Sequence, residues 1–200
     1  MKRNKILIAI TGGIGSGKSA VGEMLKGFNY RVIEADEISR EQNKRGLACY
    51  NAILKEFGGE FLDENLEIDK IKFRNYIFSD IERVRRLNEV THPIIFDEIF
   101  KAIERYSEKF VFVIVPLLYE TKMQHKFDKI WIVFAGKEER IKRAKVRDKV
   151  SETDVLNIMN NQTDYNRYNL ADNIIYNEGT RQNLELQVKD ALSGLEFEYK

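Results

Sequence analysis

The chain has 200 residues, 43% of them hydrophobic and 32% charged, which suits a soluble globular protein long enough for one compact domain. Its 33 Lys and Arg against 32 Asp and Glu leave a net charge of +1, so no global basic field points to nucleic acid or a membrane surface. Cys49 is the only cysteine, which excludes an internal disulfide framework, fits a reducing cytoplasm, and with two separated histidines cannot build a zinc site.

In chain order, a basic start is followed by an apolar run over residues 6–10, too short for a signal core or a membrane span. Residues 5–11 read as the first core strand. Residues 110–115 and 129–134 are similar short, apolar, β-branched or aromatic runs, and 30–33 and 173–176 are weaker ones. Continuous apolar runs, rather than alternation, predict a parallel sheet covered on both faces. Helical patterns lie between them, so the fold class is α/β with right-handed crossovers. No internal repeat, low-complexity tract or linker interrupts this order.

Directly after the first strand comes Gly12, Gly13, Ile14, Gly15, Ser16, Gly17, Lys18, Ser19, and a helix is predicted over 18–26. The pattern G-x-x-x-x-G-K-[ST] is met by Gly12, Gly17, Lys18 and Ser19. Glycines permit the backbone angles that turn successive N–H groups inward, forming a cradle for phosphate oxygens. Lys18 is placed to reach the β- and γ-phosphates of ATP, the Ser19 hydroxyl to bind Mg²⁺, and the helix dipole adds to the same anion site. The loop alone licenses nucleotide binding. No Asn-Lys-x-Asp guanine signature occurs, and the chain is short, which leaves a small-molecule kinase.

Asp36 follows the second strand, at the sheet edge that faces the phosphate loop in this fold class. It reads either as an N-cap for a helix from Glu37 or as a carboxylate that orients or deprotonates an attacking hydroxyl; beside the loop, the catalytic reading is favoured. Glu34 and Glu37 read as solvated neighbours. The stretch from Asp36 to Lys109 is too long for one crossover helix and predicts an inserted helical region that builds a substrate site. Within it, Ser79 with Glu82 resembles a capping box, and Pro93 is expected to interrupt or restart the helix. His92, just before Pro93, is expected to be extended, and reads equally as a substrate contact or a helix cap. His125 reads as an exposed side chain.

Glu120 ends the exit loop of the third strand, after Pro116-Leu-Leu-Tyr119, and is expected to face the crevice. A charged helix over 137–147 carries Arg140, Arg143 and Arg147 at spacings of three and four, hence on one face. That face reads either as solvated, among Glu138, Glu139 and Lys142, or as one that closes over ATP; Arg143 and Arg147 are the preferred candidates. Ser151 and Asp154 resemble a capping box, and residues 137–169 together suggest a helical flap. After the last strand, the loop with Asn177 and Gly179 reads as a surface turn or a cup for a base. A helix over 180–192 closes the pattern.

These residues resemble the dephospho-CoA kinases over roughly residues 6–188. The likeness rests on Thr11-Gly-Gly-Ile-Gly-Ser-Gly-Lys-Ser19, Ile33-Glu-Ala-Asp36, Phe57-Gly58, Leu87-Asn88 and His92-Pro93-Ile94. It continues in Val115-Pro-Leu-Leu-Tyr-Glu120, Arg143-x-x-x-Arg147-Asp148, Gln162, Ala171-Asp172 and Asn177-x-Gly179. The combination of Asn-x-x-x-His-Pro with Pro-Leu-Leu-aromatic-Glu is its most specific part. The resemblance implies a P-loop nucleotide-kinase-like three-layer fold: a five-stranded parallel sheet, an inserted helical acceptor region and a helical lid. As one domain, its core is expected at about 1–36, 109–136 and 170–200, the insertion at 37–108 and the lid at 137–169.

It further implies transfer of the γ-phosphate of ATP, with Mg²⁺, to the ribose 3′-hydroxyl of dephospho-CoA, the last step of coenzyme A biosynthesis. Asp36 matches the catalytic base, Arg143 and Arg147 match lid arginines, and Asn177 would lie near the adenine; Asp36, His92 and Glu120 are the candidates for contact with the acceptor. The family pattern reads Asp-Ala-Asp where this chain has Glu34-Ala-Asp36, which lengthens any metal contact from that position. A cytoplasmic monomer or weak homo-oligomer acting on a small molecule, without nucleic acid or membrane, is the expectation. The rivals are a similar kinase for a nucleoside monophosphate or shikimate-like alcohol, and a non-catalytic ATP-binding switch.

Overall fold

The computed structural model describes residues 5–163, 165, 169 and 171–200. The basic start (1–4), part of the expected flap (164 and 166–168) and residue 170 at the expected core boundary lie outside the described residues. The elements run β1 (Ile6–Thr11), α1 (Lys18–Gly27), β2 (Arg31–Glu34), α2 (Ala35–Gln42), α3 (Ala48–Phe57), α4 (Lys70–Phe78) and α5 (Ile81–Glu104). They continue with β3 (Phe110–Ile114), a 3₁₀ turn (Gln124–Lys126), β4 (Lys129–Phe134), α6 (Lys137–Asp148), α7 (Glu152–Asn160), β5 (Asn173–Tyr176) and α8 (Arg181–Glu198). They form two compact units, Met1–Ile33 with Ser107–Lys200, and Glu34–Tyr106.

The first unit is built on a sheet of order β2-β3-β1-β4-β5. β1 pairs in parallel with β3, from Ile6 opposite Phe110 to Ile10 opposite Ile114, and with β4, which pairs in parallel with β5. The apolar runs of β1 and β3 are buried on both faces, as a parallel sheet requires: Leu7, Ile8, Ala9, Ile10, Val111, Phe112 and Val113 have no exposed surface. Ile8, Ile10, Phe112, Trp131 and Val133 pack against Val21 and Leu25 of α1 and Val188 and Leu192 of α8. Each such large side chain contributes roughly 1.5–3 kcal/mol on burial. This packing fixes the carboxyl end of β1, where the glycine loop begins. α8 runs to Glu198, past the expected end at 192, because Leu195 continues its buried stripe.

In the second unit, α5 packs on α2, α3 and α4. Ile53, Phe61, Phe73 and Ile77 form its apolar centre with Phe57 and Tyr76 against them, and the Arg83 guanidinium lies 3.9 Å from the Tyr76 ring centroid. Two local expectations are corrected here. The cap of α5 is Asp80, whose carboxylate accepts from Glu82 N–H at 2.9 Å, while Ser79 ends α4 and donates to the Tyr76 carbonyl at 2.8 Å. A charged acceptor on extended backbone makes the stronger cap.

Pro93, moreover, does not break the helix; α5 is continuous over 24 residues with Pro93 inside it. The missing N–H costs about 3 kcal/mol. Burial of Thr91, Phe96, Ile99 and Ile103 along α5 offsets that cost. His92 is therefore helical, not extended. The expected box at Ser151 and Asp154 is present.

Candidate active site

Past Thr11 the chain passes through Gly12 at φ +147°, Gly15 at +73° and Gly17 at +98°, angles that only glycine adopts without strain. Gly17 is the left-handed N-cap of α1 and supplies no side-chain cap, so the first-turn N–H groups open toward the loop. Ser16 N–H closes a turn onto the Gly13 carbonyl at 3.1 Å. Lys18 Nζ folds back to donate to the Gly12 carbonyl at 2.8 Å and the Gly13 carbonyl at 3.1 Å. An ammonium thus stands over the concave loop. Ser16 Oγ is buried there without a partner among the described residues, and Ser19 is exposed.

α6 and the turn after β5 flank this loop. Arg140 Nε donates to the Ile14 carbonyl at 2.9 Å, and its guanidinium lies where a Cβ on Gly13 would stand. Burial pulls its pKa down, yet an arginine remains a cation. Arg143 Nε pairs with Glu139 at 2.9 Å, and Nη2 donates to the Asn177 carbonyl at 3.2 Å; Nη1 is buried without a partner among the described residues. Asn177 Nδ2 donates to the Ser16 carbonyl at 2.8 Å. Arg147 instead grips the neighbouring Asp148 carboxylate through two bonds of 2.7 Å and holds that carboxyl below its usual pKa, with its own side chain 62% exposed. An open cleft of about 730 Å³ is lined by Gly136, Lys137, Glu138, Glu139, Arg143, Glu178 and Gly179.

Behind the loop, Ile14 N–H donates to Gln162 Oε1 at 2.8 Å. Glu120 Oε1 accepts from Thr163 N–H at 2.6 Å, while its Oε2 is buried and has no partner among the described residues. Tyr165 donates its hydroxyl to the Pro116 carbonyl at 3.1 Å and lies 3.3 Å from Thr11 Oγ1; burial pushes its pKa up to about 12. Sequence reasoning gave no role to Gln162, passed over Tyr165, and ranked Arg140 below its neighbours. Only the spacing of Arg140 from Arg143 hinted at the contact it makes.

Asp36 and His92 belong to the second unit. The capping alternative for Asp36 is corrected: α2 begins at Ala35, its N-cap is Glu34, and no side chain caps it. β2 runs straight into α2, which leaves Asp36 exposed in the first helical turn. Its carboxylate faces the positive end of the α2 dipole. His92 is half-buried, and burial lowers its pKa. His125 is exposed, as expected. Among the described residues no three His, Cys, Asp or Glu side chains cluster as a metal cage.

The family model for dephospho-CoA kinase (CoaE) matches residues 6–183. A dephospho-CoA kinase from gamma-proteobacterium EBAC31A08 is 33% identical over 184 residues, covering 92% of this chain and 93% of that protein. A dephospho-CoA kinase domain-containing protein from Danio rerio is 37% identical over 187 residues, covering 91% of this chain and 82% of its own length. Among solved structures, one from Thermus thermophilus superposes with a TM-score of 0.83 at 29% identity, covering 96% of this chain and 98% of the other. Shikimate kinase from Aquifex aeolicus shares the fold alone, with a TM-score of 0.51 at 19% identity over 96% of each chain. A phosphate loop of this geometry, on a 2-3-1-4-5 parallel sheet and inside a family match of that extent, places the chain in the dephospho-CoA kinase family.

Proposed function

We infer that this protein transfers the γ-phosphate of ATP to the ribose 3′-hydroxyl of dephospho-CoA, giving coenzyme A and ADP. The observation that carries this reading is the family match across residues 6–183. The geometry of the loop supports it. Gly12 to Ser19 hold the β- and γ-phosphates, and Lys18 exchanges the Gly12 and Gly13 carbonyls for phosphate oxygens. The cleft between Gly136 and Gly179 takes the base, beside Asn177. Arg143 turns its unpartnered Nη1 to the transferring phosphoryl group, and Arg147 leaves Asp148 to join it when residues 137–169 close as a lid.

Asp36 aligns the acceptor hydroxyl and receives its proton, while His92 and Glu120 contact the acceptor, Glu120 through its unpartnered Oε2. Residues 37–108 form the acceptor region, and about 1–36, 109–136 and 170–200 form the core. Mg²⁺ arrives with ATP. The single exposed hydroxyl of Ser19 suits a hard cation that takes its other oxygens from phosphate and water. When bound, the ion neutralises charge on the β- and γ-oxygens. Exclusion of water by the lid protects ATP from hydrolysis. No helix among the described residues is long and apolar enough to cross a membrane, and the buried free thiol of Cys49 suits a reducing cytoplasm.

The test is ADP release measured with dephospho-CoA, a panel of nucleoside monophosphates, and shikimate as acceptors. Strong stimulation by dephospho-CoA alone supports the assignment. Absence of stimulation by dephospho-CoA overturns it.

A further inference from the structure

Two carbonyls of the phosphate loop are held from outside by side-chain donors. The Ile14 carbonyl accepts from Arg140 Nε at 2.9 Å, and the Ser16 carbonyl accepts from Asn177 Nδ2 at 2.8 Å. In a planar trans peptide the C=O and the following N–H point in opposite directions. A donor that fixes the Ile14 carbonyl therefore aims the Gly15 N–H the other way, and one on the Ser16 carbonyl does the same for the Gly17 N–H. Among the described residues these two N–H groups have no protein acceptor, whereas those of Ile14 and Ser16 are taken by Gln162 and Gly13. From Ile14 to Gly17 satisfied and open N–H groups alternate, and the two open ones of this stretch belong to glycines at positive φ.

The donors are themselves fixed. Arg140 lies in the first turn of α6, its N–H donating to the Gly136 carbonyl at 3.0 Å and its backbone packed where a Cβ on Gly15 would stand. Asn177 continues the β4–β5 ladder, its N–H donating to the Phe134 carbonyl at 2.7 Å while its own carbonyl accepts from Arg143. Its side chain is thus left for Ser16. Without the two donors, peptides that flank glycine are free to rotate, and a carbonyl oxygen turned inward repels phosphate.

We propose that Arg140 and Asn177 are positioning residues that build the anion cradle from behind, by holding the Ile14 and Ser16 carbonyls outward so that the Gly15 and Gly17 N–H groups converge on phosphate. They act through the loop's peptides on the phosphate chain of the nucleotide, not on its base. The proposal rests on ATP occupying the loop and is independent of the acceptor.

The experiment is calorimetric titration of the full chain, without acceptor, with ATP and with inorganic tripolyphosphate, at low and high salt. The variants are Asn177→Leu, Arg140→Met and the double variant, with Asn177→Ala replacing Asn177→Leu if that variant melts early. Each single substitution weakens ATP and tripolyphosphate alike, by about tenfold, the worth of one hydrogen bond to a charged-ligand cradle. The loss persists at high salt, which screens a simple charge effect. Three results overturn the proposal. One is loss of ATP affinity with tripolyphosphate binding intact, which makes Asn177 a base contact. Another is affinity within about twofold of wild type in folded variants, which makes both residues merely structural. A third is an Arg140→Met deficit that vanishes at high salt.

Discussion

Gly12→Ala places a side chain where the phosphate loop leaves no room for one. The backbone at Gly12 has φ +147°, and a Cβ there would overlap the Val133 carbonyl oxygen and stand 2.9 Å from Ser16 Oγ. Val133 belongs to β4 and is in register with Ile175 of β5, so its carbonyl cannot yield without disturbing the sheet. The strained backbone costs roughly 1–3 kcal/mol and the overlap about 1–3 kcal/mol more. For a chain of this size each kcal/mol moves the thermal midpoint by about 2–4 °C, so a fall of roughly 4 °C is the minimum expected. Thermal unfolding followed by circular dichroism, paired with ATP titration, reads both consequences. Gly27→Ala is the control: it ends α1, no described atom beyond its own stretch of helix lies within 4 Å of the added Cβ, and the midpoint should hold or rise. A Gly12→Ala protein with the wild-type midpoint and ATP affinity would mean that the loop accepts a side chain at this position without strain or overlap.

Asp36→Asn should lower turnover by at least about a hundredfold while leaving the ATP dissociation constant within about twofold, measured by steady-state kinetics and titration; unchanged turnover removes Asp36 from the chemistry. His92 has a pKa lowered from 6.5 by burial, so the unfolded chain binds more protons than the folded one. Its stabilisation is complete above pH 6.5 and is lost as pH falls through the folded value. Urea titrations at pH 7.5 and at pH 5.5 should therefore show a smaller acid-induced loss in His92→Gln than in wild type. Asp80→Ala removes the α5 cap and should cost about 1 kcal/mol, seen as a lower urea midpoint with unchanged ATP binding.

Local patterns carried the parts of the molecule that are locally determined. Apolar runs identified the buried parallel strands because such strands bury both faces, and the Gly12–Ser19 spacing identified the cradle because only glycine tolerates its angles. What escaped depends on tertiary placement. Ser79 and Asp80 are both good caps, and which one serves is decided by where α4 ends. Pro93 looks like a breaker until the helices packed along α5 are counted.

The three arginines of α6 share one face, but Arg147 lies roughly 10 Å along the helix axis from Arg140. Spacing alone could not say that Arg140 meets the loop while Arg147 pairs with Asp148. The turn at Asn177 showed even less, since its contact with Ser16 joins residues 161 positions apart.

The identity of the product tests the kinase assignment at its reacting atom. Purified protein, ATP and dephospho-CoA are incubated together, and the product is assigned by phosphorus and proton nuclear magnetic resonance. The expected result is one new phosphate on the ribose 3′-oxygen and ADP in equal amount, with both formed at least about a hundredfold more slowly by Asp36→Asn. ATP consumption that ignores dephospho-CoA, or a phosphate placed on any other atom, would contradict it.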